Sequence, residues 1–363
     1  MSDISQLLID QIKSAAAEKT PITIVGNDTK SHIGCKIATT ANRLSTVEHS
    51  GIVEYKPVEL IMTARAGTTL AEIDAELEKN NQVLASDPRR FGGLATLGGS
   101  LASNQSGHAR PWVGSLRDHV LGIKLINGKG QHLTFGGQVM KNVAGYDVSR
   151  LQAGALGSFG LISEVSFKVL PKPEVSTSLS VAIEDDKGIE LMNALSRTPK
   201  PINAACWVNN HVYVRLEGAS SAVAKTVSQW QSKYGFSQLH ENEANLFWDS
   251  IREHEHTFFT KQSNDEGLWK FSVNSAAKTV IKDAAWMFNW CGSQRWLVGD
   301  FNLSDLTEEA NAMGGEVQHY SGGNQQEAVF YPENVAMKQL MRNLKRSFDP
   351  NNIFNPGRLY SWL

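Results

Sequence analysis

Ala95-Thr-Leu-Gly98-Gly99-Ser100-Leu-Ala-Ser-Asn104-Gln-Ser-Gly107 consists almost wholly of small residues. Half of the chain's 30 glycines lie between Gly92 and Gly160. Glycine is conformationally costly, so it concentrates where the backbone bends sharply or approaches another group closely. These glycines interrupt strand-like runs at residues 120–126 and 160–170, which predicts turns whose amides line a channel for a long polyanionic ligand. A β-rich domain with tight turns and no ligand is the alternative.

The composition is that of a soluble globular protein. The 363 residues are 41% hydrophobic and 20% charged, enough for two or three domains. The net charge of −2 shows no excess of basic residues, which argues against nucleic acid as a partner. The isolated Cys35, Cys206 and Cys291 are too few for a cysteine-held zinc or iron–sulfur site, so we expect no metal and reduced, buried thiols.

No targeting signal is evident in the sequence. The N-terminal residues 1–12 have the pattern of a short amphipathic helix without a basic or long apolar region. No stretch approaches the roughly 18 apolar residues of a spanning helix. The expected location is cytoplasmic, without direct membrane insertion and peripheral at the inner membrane, if at all, through partner subunits.

The order of patterns predicts an α+β protein. Thr69 is the expected N-cap of a helix at residues 69–79, whose apolar face is Leu70, Ile73 and Leu77. The prolines of Lys168–Glu174 end a strand and mark a change in composition. Strands and helices alternate beyond them, and an ordered tail with interspersed aromatic residues follows a helix at residues 334–346.

Seven short motifs, in this order, resemble the FAD-binding family of vanillyl-alcohol oxidase and p-cresol methylhydroxylase, and within it the FAD-binding subunits of bacterial glycolate oxidases. The motifs are Ile24-Val-Gly-Asn-Asp-Thr-Lys30, Arg65-Ala-Gly-Thr-Thr69, Thr96-Leu-Gly-Gly-Ser-Leu-Ala-Ser103, Arg110-Pro-Trp-Val-Gly-Ser-Leu-Arg-Asp118, residues 135–151, Gly157-Ser-Phe-Gly160 and Ile353-Phe-Asn-Pro-Gly-Arg358. They cover the first 170 residues densely, the last 30 well and the middle loosely.

The resemblance implies a domain plan. Residues 1–172 would form a two-subdomain p-cresol-methylhydroxylase-type FAD-binding domain. Residues 173–330 would form an α+β, ferredoxin-like cap domain, and residues 331–363 would return to the FAD domain.

The resemblance also implies which residues bind FAD. The first loop would wrap the pyrophosphate, the Thr96 segment would follow the pyrophosphate and ribityl chain, Ser115, Arg117 and Asp118 would lie near the flavin, and the Leu156 segment would hold the adenosine end. The full expected set is Val25, Gly26, Asn27, Asp28, Thr29, Lys30, Ser31, Thr96, Leu97, Gly98, Gly99, Ala102, Ser103, Asn104, Ser115, Arg117, Asp118, Leu156, Gly157, Gly160, Leu161 and Ile162.

The first loop departs from the family pattern. Relatives carry consecutive glycines where this chain has Gly26-Asn27-Asp28. Asn and Asp tolerate left-handed backbone, so the loop can still form, and Lys30 is expected to offset part of the Asp28 charge. The histidine that attaches FAD covalently in some relatives is replaced by Asn, Asp or Thr, which predicts a dissociable flavin.

The second departure concerns catalysis. The H-x-G-D-G-N-x-H and E-H-G signatures of the family's catalytic partners are absent, and residues 314–323 keep only His319. Because 2-hydroxy-acid oxidation needs a base and cations for the carboxylate, no catalytic residue is assigned. The resemblance implies a flavin-carrying subunit beside a catalytic FAD dehydrogenase subunit and an iron–sulfur subunit. A stand-alone FAD oxidoreductase and a flavin-less structural subunit are the alternatives.

Three weaker signals favour ordinary explanations. His254 and His256 are two residues apart and fit a polar surface better than a metal site. The tryptophans at positions 286, 290 and 296 are expected in the cap core rather than at an interface. Arg117–Asp118 has the pattern of a structural ion pair.

Overall fold

The computed structural model describes residues 2–36, 42–137, 146–260, 263, 265–279, 281, 284–323 and 334–363. The predicted boundary at residues 330–331 and residues 138–145 of the longest glycine-containing motif lie outside these ranges.

The strands and helices are numbered here in chain order. The strands are β1 (Ile22–Val25), β2 (Asn42–Ser45), β3 (Ile52–Lys56), β4 (Ile61–Arg65), β5 (Gln82–Val83), β6 (Val120–Ile126), β7 (His132–Gly136), β8 (Leu161–Lys168), β9 (Leu170–Pro171), β10 (Val175–Ala182), β11 (Ile202–Val208), β12 (His211–Gly218), β13 (Ser237–Gln238), β14 (Gly267–Ser272), β15 (Ala285–Asn289), β16 (Gln294–Gly299) and β17 (Glu316–Gly322). The helices are α1 (Ser5–Glu18), α2 (Leu70–Glu78), α3 (Leu97–Ser103), α4 (Arg110–Val113), α5 (Leu116–His119), α6 (Val148–Leu151), α7 (Asp185–Ser196), α8 (Ser220–Tyr234), α9 (Glu241–Glu253), α10 (Thr257–Thr260), α11 (Leu303–Ala312) and α12 (Val335–Phe348).

The chain divides into two compact units. The first unit contains Met1–Ser106, Gly114–Pro171 and Pro332–Leu363, and the second contains Gly107–Val113 and Lys172–Tyr331. The C-terminal segment therefore belongs to the same unit as the N-terminal half.

An antiparallel five-stranded sheet forms the centre of the first unit. Its strand order is β3-β4-β8-β6-β7, and β1 pairs in parallel with β2 in a separate two-stranded sheet. One apolar cluster of this unit includes Leu70, Ile73 and Leu77 of α2, which are the helix face expected from the sequence. Thr69 caps α2 in a capping box with Glu72, because each side chain accepts a hydrogen bond from the other residue's backbone N–H.

A second apolar cluster joins the two ends of the first unit. Leu8 and Ile12 of α1 pack with Ile22, Ile353 and Phe354, which are all buried. Ile22 also donates its N–H to Ile353 O at 2.7 Å, and Ile22 bridges Phe354 in parallel pairing. The aromatic tail is thus ordered by burial of its apolar side chains, as expected.

The second unit has an eight-stranded antiparallel sheet made of two similar halves. Its order is β13-β10-β12-β11-β15-β16-β14-β17. The first half has the chain order β10-α7-β11-β12-α8-β13, and the second half has β14-β15-β16-α11-β17. The strands β14, β15, β16 and β17 correspond to β10, β11, β12 and β13, and they lie across the sheet in the opposite order. Antiparallel pairs Cys206–Asn289 and Trp207–Phe288 join the halves. The likeness of the two halves lies in the order of their elements and not in a repeat of residue identity.

The sheet core of the second unit explains its tryptophans. Trp286, Trp290 and Trp296 are all buried, in agreement with the expected core role.

Cys35, Cys206 and Cys291 are buried free thiols, also as expected. In the described ranges, every helix is too short or too polar to cross a bilayer.

The glycine-rich run that opens the sequence analysis is not a series of turns. Residues Leu97–Ser103 form helix α3, which begins where the Thr96 hydroxyl accepts a hydrogen bond from the Gly99 N–H at 3.3 Å. The helix ends at Asn104, whose backbone is left-handed with φ of 46°. The prediction of turns was wrong here because an N-cap and small, closely packed residues outweigh the low helix propensity of two glycines. Gly98 is required by packing, since a Cβ there would lie 2.6 Å from the Ala66 Cβ.

Candidate functional site

An open cleft in the first unit brings together segments that are far apart in the sequence. Its volume, including open solvent, is about 690 Å³. The lining residues are Ile24, Val25, Gly26, Asn27, Asp28, Thr29, Lys30, Ser31, Thr46, Ala66, Thr96, Gly98, Gly99, Ala102, Ser103, Leu156, Gly157, Gly160, Ile162, Asn355 and Arg358. Most of the residues expected from the sequence therefore lie around one cavity.

The loop after β1 offers backbone donors to this cleft. Among the described residues, the backbone N–H groups of Gly26, Asn27, Asp28 and Thr29 make no hydrogen bond to protein atoms. Asp28 has a left-handed backbone with φ of 56°, which is the kind of alternation that turns successive N–H groups toward one point. The Asn27 side chain fixes the loop by donating Nδ2–H to Leu94 O at 2.9 Å. Unused amides of this kind form an anion-binding concavity.

Glycine is required at two points of the cleft wall. A Cβ on Gly26 would lie 2.5 Å from the Thr96 hydroxyl, and a Cβ on Gly157 would lie 2.7 Å from the Asn355 amide nitrogen. Gly157 also has a positive φ of 73°. These glycines let the loop, helix α3 and the segment before β8 approach one another closely.

The charges around the cleft favour an anion. Lys30 and Arg358 are cations in the lining, with exposed fractions of only 8% and 9%. The lining carboxylate, Asp28, forms an ion pair with Arg43 at 2.7 Å. Arg43, which follows in β2, thus offsets the Asp28 charge, and the further offset expected from Lys30 stays a prediction.

His32 reports the same positive environment. Burial, together with the nearby charges of Arg89, Lys30 and Arg358, lowers the pKa of His32 from 6.5 to about 4. Lys30 Nζ also lies 4.7 Å from the centre of the Phe91 ring, and the Arg89 guanidinium lies 4.2 Å from it. His32 is thus neutral at pH 7 in a region where cations predominate.

Sequence reasoning missed Ile24, Thr46, Ala66, Asn355 and Arg358. Asn355 accepts from the Ile24 N–H at 2.8 Å and donates to Leu156 O, and Arg358 donates to Lys30 O at 2.9 Å. The motif Ile353–Arg358 was recognised as part of the family pattern, but no local periodicity indicates that it meets a loop more than 300 residues earlier.

Some expected site residues do not line the cleft. Leu97 and Leu161 are fully buried in the two apolar clusters, because the local helix and strand direct their side chains inward. Asn104 ends α3, and its Oδ1 is buried without a hydrogen-bond partner among the described residues.

The segment expected near the flavin is also outside the cleft lining. Ser115 and Asp118 form a capping interaction at α5, with Ser115 N and Oγ donating to Asp118 Oδ2 at 2.9 and 2.7 Å. Arg117 lies 3.9 Å from the other Asp118 oxygen, as expected of a structural ion pair. Roles for Ser115, Arg117 and Asp118 at a flavin stay predictions.

Comparison with known proteins identifies the family. A model of the "FAD binding domain" matches residues 5–136, and one of the "FAD linked oxidases, C-terminal domain" matches residues 297–359. Glycolate oxidase subunit GlcE of Escherichia coli K12 is 37% identical over 361 residues, covering 99% of both chains. The chain belongs to the GlcE family of FAD-linked oxidases.

Other known proteins match part of the chain or share only its fold. Glycolate oxidase subunit GlcD of Bacillus subtilis is 29% identical over 42% of this chain and 31% of its own length. The crystal structure of p-cresol methylhydroxylase matches 99% of this chain and 87% of its own, with a TM-score of 0.74 and 15% identity. An alkyldihydroxyacetonephosphate synthase structure matches 97% of this chain and 74% of its own, with a TM-score of 0.68 and 16% identity. The α+β fold expected from the sequence is confirmed.

The histidines of the second unit are engaged in aromatic packing in this GlcE-family chain. His319 stacks on Trp269 with ring centres 4.3 Å apart, and His254 stacks on Phe259 at 4.2 Å. His254 is the C-cap of α9, so His256 lies beyond the end of that helix. Within the described ranges, no group of three His, Cys, Asp or Glu side chains could hold a metal ion.

Proposed function

We propose that this chain is the non-covalent FAD-binding subunit of a glycolate oxidase-type complex that oxidises 2-hydroxy acids such as glycolate or D-lactate. The observation that carries the proposal is the cleft of the first unit. Four of its backbone N–H groups have no partner among the described residues and could donate hydrogen bonds to the oxygens of a diphosphate. The end-to-end match to a glycolate oxidase subunit supplies the reaction class.

The residues of the cleft fit FAD. The free amides of the Gly26–Thr29 loop would bind the diphosphate, whose negative charge is balanced by Lys30 and Arg358. Ala102, Ser103 and Ile162 offer small or apolar surface along the rest of the cleft. When bound, FAD accepts a hydride equivalent from an oxidisable carbon and passes the electrons onward.

The pairing of Asp28 with Arg43 supports retention of FAD. A free carboxylate beside a diphosphate would repel it, which would favour the flavin-less alternative. The 2.7 Å ion pair with Arg43 reduces that repulsion. Because the pair is exposed, it contributes little to folding stability.

A partner subunit would supply the catalytic base and the groups that bind the substrate carboxylate. The sequence has neither histidine-rich signature of the catalytic members, and relatives are described as GlcE and GlcD subunits of glycolate oxidase. The proposed complex contains a catalytic FAD dehydrogenase subunit and an iron–sulfur subunit. Attachment to the inner membrane would be peripheral and through these partners.

The flavin content of the purified chain tests the proposal. We expect flavin absorbance bands after incubation with FAD and gel filtration, and release of unmodified FAD when the protein is denatured. A chain that carries no flavin after reconstitution contradicts the proposal and favours a structural subunit.

Activity measurements separate the subunit from a stand-alone enzyme. The isolated chain is expected not to reduce an artificial dye with glycolate or D-lactate, whereas the chain mixed with a GlcD-type dehydrogenase subunit and an iron–sulfur subunit should support turnover. Dye reduction by the isolated chain with another alcohol or hydroxy acid would favour the alternative.

A further inference from the structure

The C-terminal segment of the first unit is built into the wall of the cleft. Asn355 N donates to Ile22 O at 2.9 Å, and the Asn355 side chain bonds to Ile24 N and Leu156 O. Cys35 N donates to Arg358 O at 2.8 Å. The segment is therefore fixed on both sides of Arg358, by β1 and by the loop that follows it.

Gly34 allows this close approach. A Cβ at Gly34 would lie 2.6 Å from Arg358 O, and the φ of Gly34 is 88°. The backbone of residues 30–35 consequently curves around the Arg358 backbone. This arrangement holds the arginine in a defined position rather than leaving it as a mobile surface side chain.

The Arg358 side chain is a buried cation, and most of its N–H donors have no hydrogen-bond partner among the described residues. Its exposed fraction is 9%, and among the described residues it makes one hydrogen bond, from Nη2 to Lys30 O at 2.9 Å. A guanidinium has five N–H donors, so most of them are available for a ligand. Burial lowers the pKa of Arg358, while the charge of Asp28 acts in the opposite direction.

Asp28 alone does not account for this cation. The Asp28 carboxylate is already paired with Arg43, and the loop that contains Lys30 adds another cation to the same lining. A buried, incompletely paired positive charge is costly unless an anion accompanies it. The cleft therefore lacks a negative group that its ligand would provide.

We propose that Arg358 is a diphosphate-binding residue, delivered to the cleft by the C-terminal segment, and that it compensates for the negative charge of Asp28 in the same lining. This inference rests on the proposed function and adds a residue that the sequence analysis did not assign. A guanidinium binds phosphate oxygens through charge-assisted hydrogen bonds. FAD and ADP share the diphosphate, whereas riboflavin lacks it.

The test compares binding of FAD, ADP and riboflavin to the flavin-free full-length chain by titration calorimetry. Arg358→Gln should weaken FAD and ADP binding by about ten- to a hundredfold, which is the effect of removing a hydrogen bond from a charged group. Riboflavin binding should change less than about twofold. Arg346→Gln is the matched control, because Arg346 is an exposed arginine of α12.

Two further variants keep the test decisive if Arg358→Gln is poorly folded. Arg358→Lys keeps the charge and should retain more ADP affinity than the glutamine variant. Asp28→Asn removes the opposing charge and should strengthen ADP binding several-fold. Thermal melting of each flavin-free variant identifies any loss of folding.

The outcomes distinguish this inference from the proposed function. Wild-type protein that binds none of the probes overturns both. Wild-type protein that binds FAD normally, with a folded Arg358→Gln variant that binds ADP equally well, overturns the role of Arg358 alone. An equal loss of riboflavin and ADP affinity would also overturn it, because that result indicates a general distortion of the cleft. If Arg358→Gln does not fold, equal ADP affinity in wild type, Arg358→Lys and Asp28→Asn overturns it.

Discussion

Gly157 illustrates how a single missing Cβ shapes the cleft. Gly157 and Gly235 have the same φ of 73°, but only Gly157 has a neighbour, Asn355 Nδ2, at 2.7 Å from the position of a Cβ. Gly235→Ala should therefore cost about 1 kcal/mol for the backbone alone. Gly157→Ala should cost about 2–4 kcal/mol, because contact with Asn355 is added. Urea unfolding of both variants checks this, and equal losses would contradict the steric role.

The titration of His32 makes folding stability depend on pH. Burial and the charges of Arg89, Lys30 and Arg358 lower the pKa of His32 to about 4 in the folded protein, against 6.5 for an ordinary histidine. As the pH falls, His32 is therefore protonated in the unfolded chain before it is protonated in the folded protein. The contribution of neutral His32 is complete above pH 6.5 and is lost as the pH falls toward 4. Between pH 7 and pH 5, flavin-free wild type should lose about 1–2 kcal/mol more stability than His32→Gln. Unfolding free energies at both pH values measure this difference, and identical losses would refute it.

At the residue scale, the sequence located the cleft but not all of its charges. The Gly26–Ser31 loop and Gly157 were recognised because their residue types match a family pattern and satisfy backbone geometry. Arg43, Asn355 and Arg358 were not assigned, since their roles depend on contacts between distant segments. Asn355 and Ile24, for example, are 331 positions apart. Residue type alone does not specify such partners.

At the scale of elements, α2 shows a helix start that the sequence specifies fully. The Thr69 hydroxyl accepts from Glu72 N at 3.2 Å, and Glu72 Oε2 accepts from Thr69 N at 2.8 Å. Thr69→Ala should destabilise the protein by about 1 kcal/mol, because one helix N–H loses its partner. Thr69→Ser should restore most of that loss. Denaturant unfolding provides the comparison, and an alanine variant as stable as wild type would contradict the capping role.

Helix α3 shows where element prediction fails. Its two glycines and short length indicate turns when read by propensity, yet Leu97 and Leu101 are fully buried and hold the segment as a helix. Tertiary burial thus outweighs local propensity, which amounts to only about 1 kcal/mol per glycine. By contrast, α2 has a continuous apolar face, and its predicted bounds, residues 69–79, agree with the structure within one residue at each end.

At the scale of the whole molecule, one buried ion pair links the C-terminal segment to the rest of the first unit. Lys345 Nζ donates to Asp349 Oδ2 at 2.8 Å, to Ser158 O at 2.8 Å and to Phe354 O at 2.6 Å. Asp349 accepts in turn from the N–H groups of Ile353 and Phe354. The pair holds the turn from which Asn355 and Arg358 reach the cleft.

Removing one partner of this pair should be costly. Asp349→Ala leaves the Lys345 charge buried without its carboxylate, and we expect a loss of about 3–5 kcal/mol together with weaker FAD binding. Arg346→Met, on the exposed part of α12, is a control that should change stability by less than about 0.5 kcal/mol. Unfolding and FAD titration measure both effects. Full FAD affinity in a folded Asp349→Ala variant would show that the turn does not support the cleft.

The overall architecture was predictable because several family motifs occur in the same order, and the tail was expected to be ordered because its apolar residues had no other role. A second round of strands and helices in the second unit was expected from the sequence, but the strand order in which the two halves share one sheet was not. The two halves belong to one sheet because β11 of the first half pairs with β15 of the second half.

The hydrogen bond between Arg358 and Lys30 has a consequence for biosynthesis. The two residues are 328 positions apart, so a ribosome adding about 5–20 amino acids per second needs roughly 15–65 s to travel from one to the other. Throughout that interval the nascent polypeptide exposes an incomplete form of the proposed FAD-binding cleft. Flavin capture with full affinity must therefore follow the synthesis of nearly the whole polypeptide.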